Sequence, residues 1–374
     1  MQPADFKLER YFAKYEFEVE CLLSASDCES FPLEELLELA DQDGEKLWRE
    51  LKLGYTESKG NPLLRAEIAK LYHGISPEDL LVLAPEEGIF IALNSLLKPG
   101  LEVIATFPAY QSLLELPKAL GCSVVKWDLE FNGSKWEINI DWLERNLTEK
   151  TAALLINFPH NPTGFLPSKT ELDRILHLAK EHDLYVFSDE MYWLSEYDPG
   201  GRLPSVADTY EKGISLFGLS KTFGLPGLRI GWLATRDRDL LRRIAGFKDY
   251  TTICNSAPSE VLAFIALRAG ELIIERNLEI IRNNIKLAGD FFEKHRDLFG
   301  WAPPKAGSVA FPELKADVPV EKFCAEVVKE KSLMILPGTV FDFPGNHFRL
   351  GLGRRNFSSG LNRLTEYLND SGLK

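Results

Sequence analysis

Gly218-Leu219-Ser220-Lys221-Thr222-Phe223-Gly224-Leu225-Pro226-Gly227-Leu228-Arg229-Ile230-Gly231 is the stretch on which the reading of this chain turns. A lysine stands in a loop of small residues, directly after Ile214–Phe217, an apolar run that reads as a strand. Glycines let a bulky ligand approach the backbone. A lysine so placed suits a Schiff-base nucleophile, provided its neighbours favour the neutral amine. Arg229, eight residues on, can hold a phosphate through its planar fork. Taken alone, a solvated lysine and an ion-paired arginine in a turn is the ordinary reading. Three rival motifs fail here. A Walker A loop needs Gly before the lysine, where Ser220 stands. The S-x-x-K pattern needs Ser three residues before it, where Gly218 stands. No G-x-G-x-x-G follows a first strand, so a dinucleotide site is unsupported.

Two upstream segments point to the same kind of place. Asn157-Phe158-Pro159-His160-Asn161-Pro162-Thr163-Gly164 follows the apolar run Ala152–Ile156. Loops at the carboxyl ends of parallel strands are where α/β sheets bind ligands, and Asn161 offers an amide there. A Pro/Gly turn with Asn as turn former is the ordinary alternative. Ser188-Asp189-Glu190-Met191-Tyr192 follows the strand-like Leu184–Phe187. A carboxylate at a buried strand end needs a cationic partner, which a protonated ring nitrogen would supply. The ordinary alternative is a pair of solvated acids.

Around these segments, short apolar runs alternate with helical periodicity. Leu80–Leu83, Glu102–Ala105, Ser123–Trp127, Ala152–Ile156, Leu184–Phe187, Ile214–Phe217 and Arg229–Ala234 read as strands. Glu86–Leu97, Ala109–Leu120 and Lys169–His182 read as helices, the last opened by Ser168 with Glu171 as a capping box. Strands separated by helices predict βαβ units and a largely parallel sheet, buried on both faces where runs are wholly apolar. After about Lys248 the pattern changes. Helices are expected over Val261–Ala269, Leu272–His295, Val320–Lys331 and Ser358–Leu368, with short strands Ser308–Phe311, Leu333–Leu336 and Phe348–Leu350. The expected division is an N-terminal arm over 1–30, a large domain over 31–250 and a smaller α+β C-terminal domain over 251–374, whose first helices bridge the two. The arm could pack on either.

Composition narrows the class. With 374 residues, 45% hydrophobic and 26% charged, the chain is sized for two domains and an ordinary globular core. Its 56 acidic against 43 basic side chains give a net charge of −13, which offers no general attraction to nucleic acid or anionic lipid. The five cysteines are scattered, without C-x-x-C spacing, so a reduced cytoplasmic setting is expected and no metal. The first twenty residues lack the apolar core of a signal peptide, and no run of 18 apolar residues predicts a membrane span.

In combination and in this order, the lysine, Asn161 and Asp189 segments resemble the fold-type I, class I/II pyridoxal-phosphate-dependent aminotransferases, from about Gly54 to Arg349. The resemblance implies an α/β fold with a mostly parallel central sheet flanked by helices. It implies a homodimer with shared active sites, acting in amino-acid metabolism on an amino acid and a 2-oxo acid. Lys221 resembles the lysine that forms the internal aldimine and shuttles the α-proton, and Asp189 the carboxylate on the pyridinium nitrogen. Tyr192 and Asn161 resemble the donors to the cofactor's phenolic oxygen, and Tyr110 the aromatic stacked on its ring. Ser220 and Arg229 resemble phosphate ligands, and Tyr55 the tyrosine that reaches the phosphate of the other subunit. Arg349, in Phe348-Arg349-Leu350, resembles the clamp on the substrate carboxylate, with Asn161 beside it.

Two positions depart from the family pattern. Gly218 stands where the family often has a phosphate-binding Ser or Thr. Ala84-Pro85-Glu86-Glu87-Gly88 stands where a Gly-Ala-Thr-like turn usually opens a helix. Pro at a first helical position is tolerated, and the amides of Glu86 and Glu87 can still meet a phosphate. Their side chains are then expected to point away, unless one faces a cationic group on the substrate. The leading expectation is a ping-pong aminotransferase. The alternative is a lyase, cyclase or oxidase on the same fold, and the two departures add weight to it. A non-catalytic protein is disfavoured by the presence of Lys221, Asp189 and Asn161 together. A transcription factor is disfavoured by the acidic chain and the roughly 30 residues ahead of Phe31. Tyr11, Tyr15, Phe17 and Trp193 are candidates for an apolar substrate pocket, and Leu22–Ser30 for a segment entering the site.

Overall fold

The computed structural model describes residues 2–373. Its centre is an eight-stranded sheet: β1 (Leu80–Leu83), β2 (Glu102–Phe107), β3 (Ser123–Phe131), β4 (Trp136–Ile138), β5 (Thr151–Asn157), β6 (Tyr185–Asp189), β7 (Gly213–Gly218) and β8 (Gly231–Ala234). The spatial order is β1-β8-β7-β6-β5-β2-β3-β4. Pairs β7–β6, β6–β5, β5–β2 and β2–β3 are parallel; β8 runs against both its neighbours and β4 against β3.

Residue alternation explains why the strands are apolar throughout. Leu81 and Leu83 of β1 face one core while Leu80 and Val82 face another; Ala153 and Leu155 of β5 are likewise split from Leu154 and Ile156. A strand alternates its side chains, so a sheet covered on both sides needs apolar residues at every position. Covering helices include α2 (Pro85–Leu96) and α4 (Arg238–Lys248) on one face and α3 (Lys169–Glu181) on the other. The Ser168–Glu171 capping box forms as expected.

Toward the C-terminus, α5 (Ala257–Arg268) packs on the sheet's core, and α6 (Gly270–Lys294) spans two cores. Ile273 joins the cluster against β1 and β8, whereas Ile281, Phe291 and Phe292 join a second cluster with Phe323, Phe348, Leu350 and Leu364. Phe348–Gly351 is the middle strand of a small antiparallel sheet, between Val309–Ala310 and Leu336–Pro337. The N-terminal arm packs on both parts. Helix α1 (Lys7–Tyr15) puts Leu8 into the large sheet's core, while Cys21–Leu22 pairs in parallel with Leu333–Met334.

Two elements differ from the sequence expectation at the site itself. Arg229 does not begin a strand; it sits in left-handed backbone at φ 55°, and β8 starts at Gly231. The helix expected from Ala109 starts at Ser112, which leaves Tyr110 in a loop. Several short helices were not legible in the periodicity: Leu33–Glu38, Gln42–Arg49 and Pro62–Ala69 have only two turns over which a period can register. No described helix is long and apolar enough to cross a membrane.

Candidate active site

A cavity of about 570 Å³ opens at the carboxyl edge of the parallel strands. Its floor comes from strand ends in register: Asn157 pairs with Asp189, and Asp189 with Leu216. Parallel strands end on the same side, so the polar residue that follows each apolar run is delivered to one place. Lys221, Ser220, Asp189, Tyr192, Asn161, Tyr110, Glu86, Arg229 and Arg349 all line it.

Asp189 is 6% exposed, and its Oδ1 accepts the Met191 N–H at 3.1 Å. Burial pushes its carboxyl up to about 6, against the Met191 amide and Lys221, which favour the charged form. Asn157 donates to the Asp189 carbonyl at 2.8 Å and accepts the Asn161 backbone N–H at 2.8 Å, locking two of the three segments together. Lys221 is half-buried and donates from Nζ to Ser26 Oγ at 2.7 Å. Burial holds its ammonium below the ordinary lysine range, with Asp27 opposing and Arg349 reinforcing the shift. Tyr192 is 2% exposed and donates its hydroxyl to the Ser26 carbonyl at 2.8 Å. Burial raises that phenol, so it stays a donor.

Arg349 is 1% exposed. Phe348 and Leu350 on either side of it point into the C-terminal core, so the alternation turns Arg349 to the cavity. It donates to Asn161 Oδ1 at 3.2 Å and to the Ser24 carbonyl at 2.9 Å, while its Nε has no partner. Because Asn161 Oδ1 faces that arginine, its amide nitrogen is the group left to donate. Ser220 is 5% exposed, and its Oγ is also unpartnered. Arg229 is exposed at the mouth, held by a bond to the Pro226 carbonyl at 3.2 Å.

The two glutamates that open α2 diverge. Glu86 turns into the cavity, where Ser112 donates to its Oε1 and Tyr110 lies beside it. Its side chain thus faces the cavity, the second of the two directions left open for these acids. Glu87 is outside the cavity wall and accepts from the hydroxyls of Thr251 and Thr252. Only its backbone amide, in a first turn that lacks intrahelical partners, remains available toward the site. Tyr55 is not in this cavity; it is 92% exposed and lines a separate groove with Asn61 and Phe264.

The apolar candidates are corrected. Tyr11 donates to the Ile335 carbonyl, Tyr15 packs edge-on to Tyr11, Phe17 is 89% exposed and Trp193 is buried in the sheet's core. The cavity's apolar wall is instead Phe6, Leu8 and Phe12 of the arm. Ala25, Ser26 and Asp27 do line it, as the Leu22–Ser30 segment suggested. Ser26, Asn157, Glu9 and Glu16 were not assigned a role from sequence. For Asn157 the signal was its place at the end of a buried run.

Among known proteins, the aminotransferase class I and II family model matches residues 21–356. A curated relative, the (5-formylfuran-3-yl)methyl phosphate transaminase of Methanocaldococcus jannaschii, is 30% identical over 342 residues, 87% of this chain and 86% of its own. The crystal structure of a PLP-dependent aminotransferase from Streptococcus suis superposes with a TM-score of 0.92 at 30% identity, covering 99% of each chain. That of the PLP-dependent cyclase OrfR superposes with a TM-score of 0.90 at 28% identity, covering 99% of this chain and 98% of its own.

Proposed function

We propose, from the premise that this chain belongs to the class I and II aminotransferase family, that it moves an amino group between an L-amino acid and a 2-oxo acid in two half-reactions. The enzyme is a pyridoxal-phosphate-dependent aminotransferase. The single observation that carries the residue assignment is a convergence in one cavity: a buried Asp189 carboxyl whose Oδ1 meets only a backbone amide, a buried Ser220 hydroxyl without a partner, and the free Nε of Arg349. An anionic phosphate, a protonated ring nitrogen and a substrate carboxylate are the complements of those groups.

When bound, pyridoxal phosphate supplies an electron-withdrawing ring and the carbon that carries the amino group. Asp189 would hold a negative charge toward the ring nitrogen, and that cation would offset the burial that raises the carboxyl to about 6. Ser220, Arg229 and the first-turn amides of Glu86 and Glu87 hold the phosphate, with the α2 dipole behind the amides. Tyr110 covers the ring. Asn161 and Tyr192 donate to the phenolic oxygen, for which Tyr192 must release the Ser26 carbonyl. Arg349 fixes the substrate carboxylate, with Asn161 beside it. Lys221 is the nucleophile and then takes the proton from the substrate α-carbon, a role for which its lowered basicity suits it. We assign the working form to a cytoplasmic homodimer in which Tyr55 of a second copy reaches the phosphate; its 92% exposure leaves it free to do so.

A cyclase outcome on the same residues is the second reading, supported by the likeness to OrfR. Spectra separate the two. The protein with pyridoxal phosphate should show a visible band that Lys221→Ala lacks. An amino acid alone should remove the band, and a 2-oxo acid should restore it. Spontaneous return of the band with a cyclised product or free ammonia supports the second reading. No band in the folded protein overturns both.

A further inference from the structure

The cavity carries more negative charge than its proposed contents explain. Five carboxylates line it, Glu9, Glu16, Asp27, Glu86 and Asp189, against three cations. Lys221, Arg229 and Arg349 have assignments in the reaction, and so does Asp189. Asp27 is neutralised by Arg354, which donates to both its oxygens at 2.8 and 2.9 Å. Glu9, Glu16 and Glu86 remain, and among the described residues none of them forms an ion pair.

Their placement follows from the helix. Glu9, Phe12 and Glu16 are spaced three and four apart, so α1 and its final turn present them on one face. That face looks into the cavity, since all three line it. The Phe12 ring lies 5.9 Å from the Arg349 guanidinium. Along the helix, the two arm carboxylates therefore stand about one turn, ~5.4 Å along the axis, to either side of Phe12. Glu86 enters from α2. Its Oε2 is shielded from solvent and has no partner. Burial raises Glu86 to about 7, against the Ser112 and Tyr110 hydroxyls, and burial together with Asp27 and Glu9 raises Glu16, against Arg354 and Lys221. Arg349, 1% exposed and with an unpartnered Nε, lines the same cavity and would fix the anionic end of a ligand whose other end meets these acids, where the buried Glu86 Oε2 is likewise unpartnered.

We propose that the amino-acid substrate has a cationic side chain, a guanidinium or an ammonium, received by Glu86, Glu9 and Glu16 while Arg349 holds its α-carboxylate. This rests on the aminotransferase reading of the same cavity. A cation on a flexible stem, with an apolar section beside Phe6, Leu8 and Phe12, matches the chemistry of the wall. Phe12 supplies a ring face over which a guanidinium can also rest.

The test compares L-arginine and L-ornithine with L-citrulline, the uncharged isostere of arginine, and with L-norleucine and L-glutamate. The cofactor-loaded enzyme is mixed with each amino acid without 2-oxo acid, and the second-order rate of cofactor conversion is read. Binding to cofactor-loaded Lys221→Ala, which cannot turn over, is read by calorimetry. L-arginine or L-ornithine should exceed L-citrulline and L-norleucine at least tenfold in both readouts. Glu86→Gln and, on the solvent-accessible arm, Glu16→Gln should each reduce the ratio of cationic to neutral substrate several-fold. That ratio is insensitive to a loss of folded protein. Efficient conversion of norleucine or glutamate with no preference for the cationic pair overturns the substrate class and leaves the aminotransferase reading standing. A preference unchanged in both Gln variants overturns the role of these glutamates. If no amino acid converts the cofactor, both readings fall.

Discussion

Pro85 and Gly218 constrain each other: a Cβ at Gly218 would lie 3.2 Å from Pro85 Cγ, as well as 2.8 Å from the Gly231 Cα. The same proline carbon would lie 2.8 Å from a Cβ at Gly231. The two departures from the family pattern are thus linked in space. The ring that opens α2 occupies the room a side chain on the last residue of β7 would need. A side chain at 218 would crowd the proline at 85, and on the proposed function Ser220 and the α2 amides are the groups left to meet the phosphate.

Gly218→Ser should destabilise the protein by about 1–3 kcal/mol through overpacking. In the Pro85→Ala background the cost should fall by more than about 0.5 kcal/mol, since the sites are in contact. Part of it will persist, because the Gly231 backbone does not move away. Urea unfolding of the four proteins gives the coupling; additive effects would contradict the linkage.

Asp189 makes the stability of the cofactor-free protein depend on pH in a stated direction. Its carboxyl stands at about 6 in the fold against the ordinary 3.8. Stability from this group is therefore fully present below about pH 4 and is lost as pH rises through about 6. Relative to Asp189→Asn, the wild type should lose on the order of 3 kcal/mol between pH 4 and pH 7.5. Pyridoxal phosphate should shrink that loss by placing a cation opposite the carboxylate. Denaturation at the two pH values, with and without cofactor, checks it. A pH-independent difference between the two proteins would refute the assignment.

Arg349→Ala should reduce kcat/KM for the amino acid by an amount equivalent to roughly 2–5 kcal/mol, the range for truncating one partner of a buried charge pair. Cofactor affinity should change little. Arg349→Lys should not restore activity, because an ammonium cannot replace the planar fork that also meets Asn161 and the Ser24 carbonyl. Steady-state kinetics alongside a cofactor titration separate the two effects.

Tyr55→Ala should weaken cofactor binding although Tyr55 is outside the cavity of its own chain. Co-purified hybrids of Tyr55→Ala with Lys221→Ala should recover activity at limiting cofactor, since one site in each hybrid contains neither substitution. Absence of complementation in a verified hybrid dimer would reject the shared site.

Much of this was readable without coordinates, because parallel strands turn linear order into spatial convergence. Apolar runs ending in Asn157 and Asp189, and the loop after Phe217, had to meet at one sheet edge. Arg349 is legible only through the family resemblance of Phe348-Arg349-Leu350; the burial of Phe348 and Leu350, which turns the residue between them to the cavity, shows in the structure. The arm was not legible in the same way. Glu9, Phe12 and Glu16 are an ordinary amphipathic face until tertiary packing lays it over the cavity, and no local rule tells which surface a nine-residue helix will cover. The short helices between Leu33 and Ala69 escaped for want of length. Glu86 is placed on the right helix, with its direction left between away from the phosphate and toward a cationic group on the substrate. Its orientation is set by the distant Ser112 hydroxyl, which proximity along the chain does not reveal.

The central claim is that Lys221 is the nucleophile of an amino-transfer cycle. The most direct measurement is borohydride reduction of the cofactor-loaded protein, followed by peptide mass mapping, before and after exposure to an amino acid alone. The account expects one pyridoxyl mass on Lys221 per chain before exposure. After exposure it expects none, with one equivalent of 2-oxo acid released and the label regained when a second 2-oxo acid is added. A label on another lysine, or a label that persists on Lys221 through repeated consumption of amino acid, would contradict it.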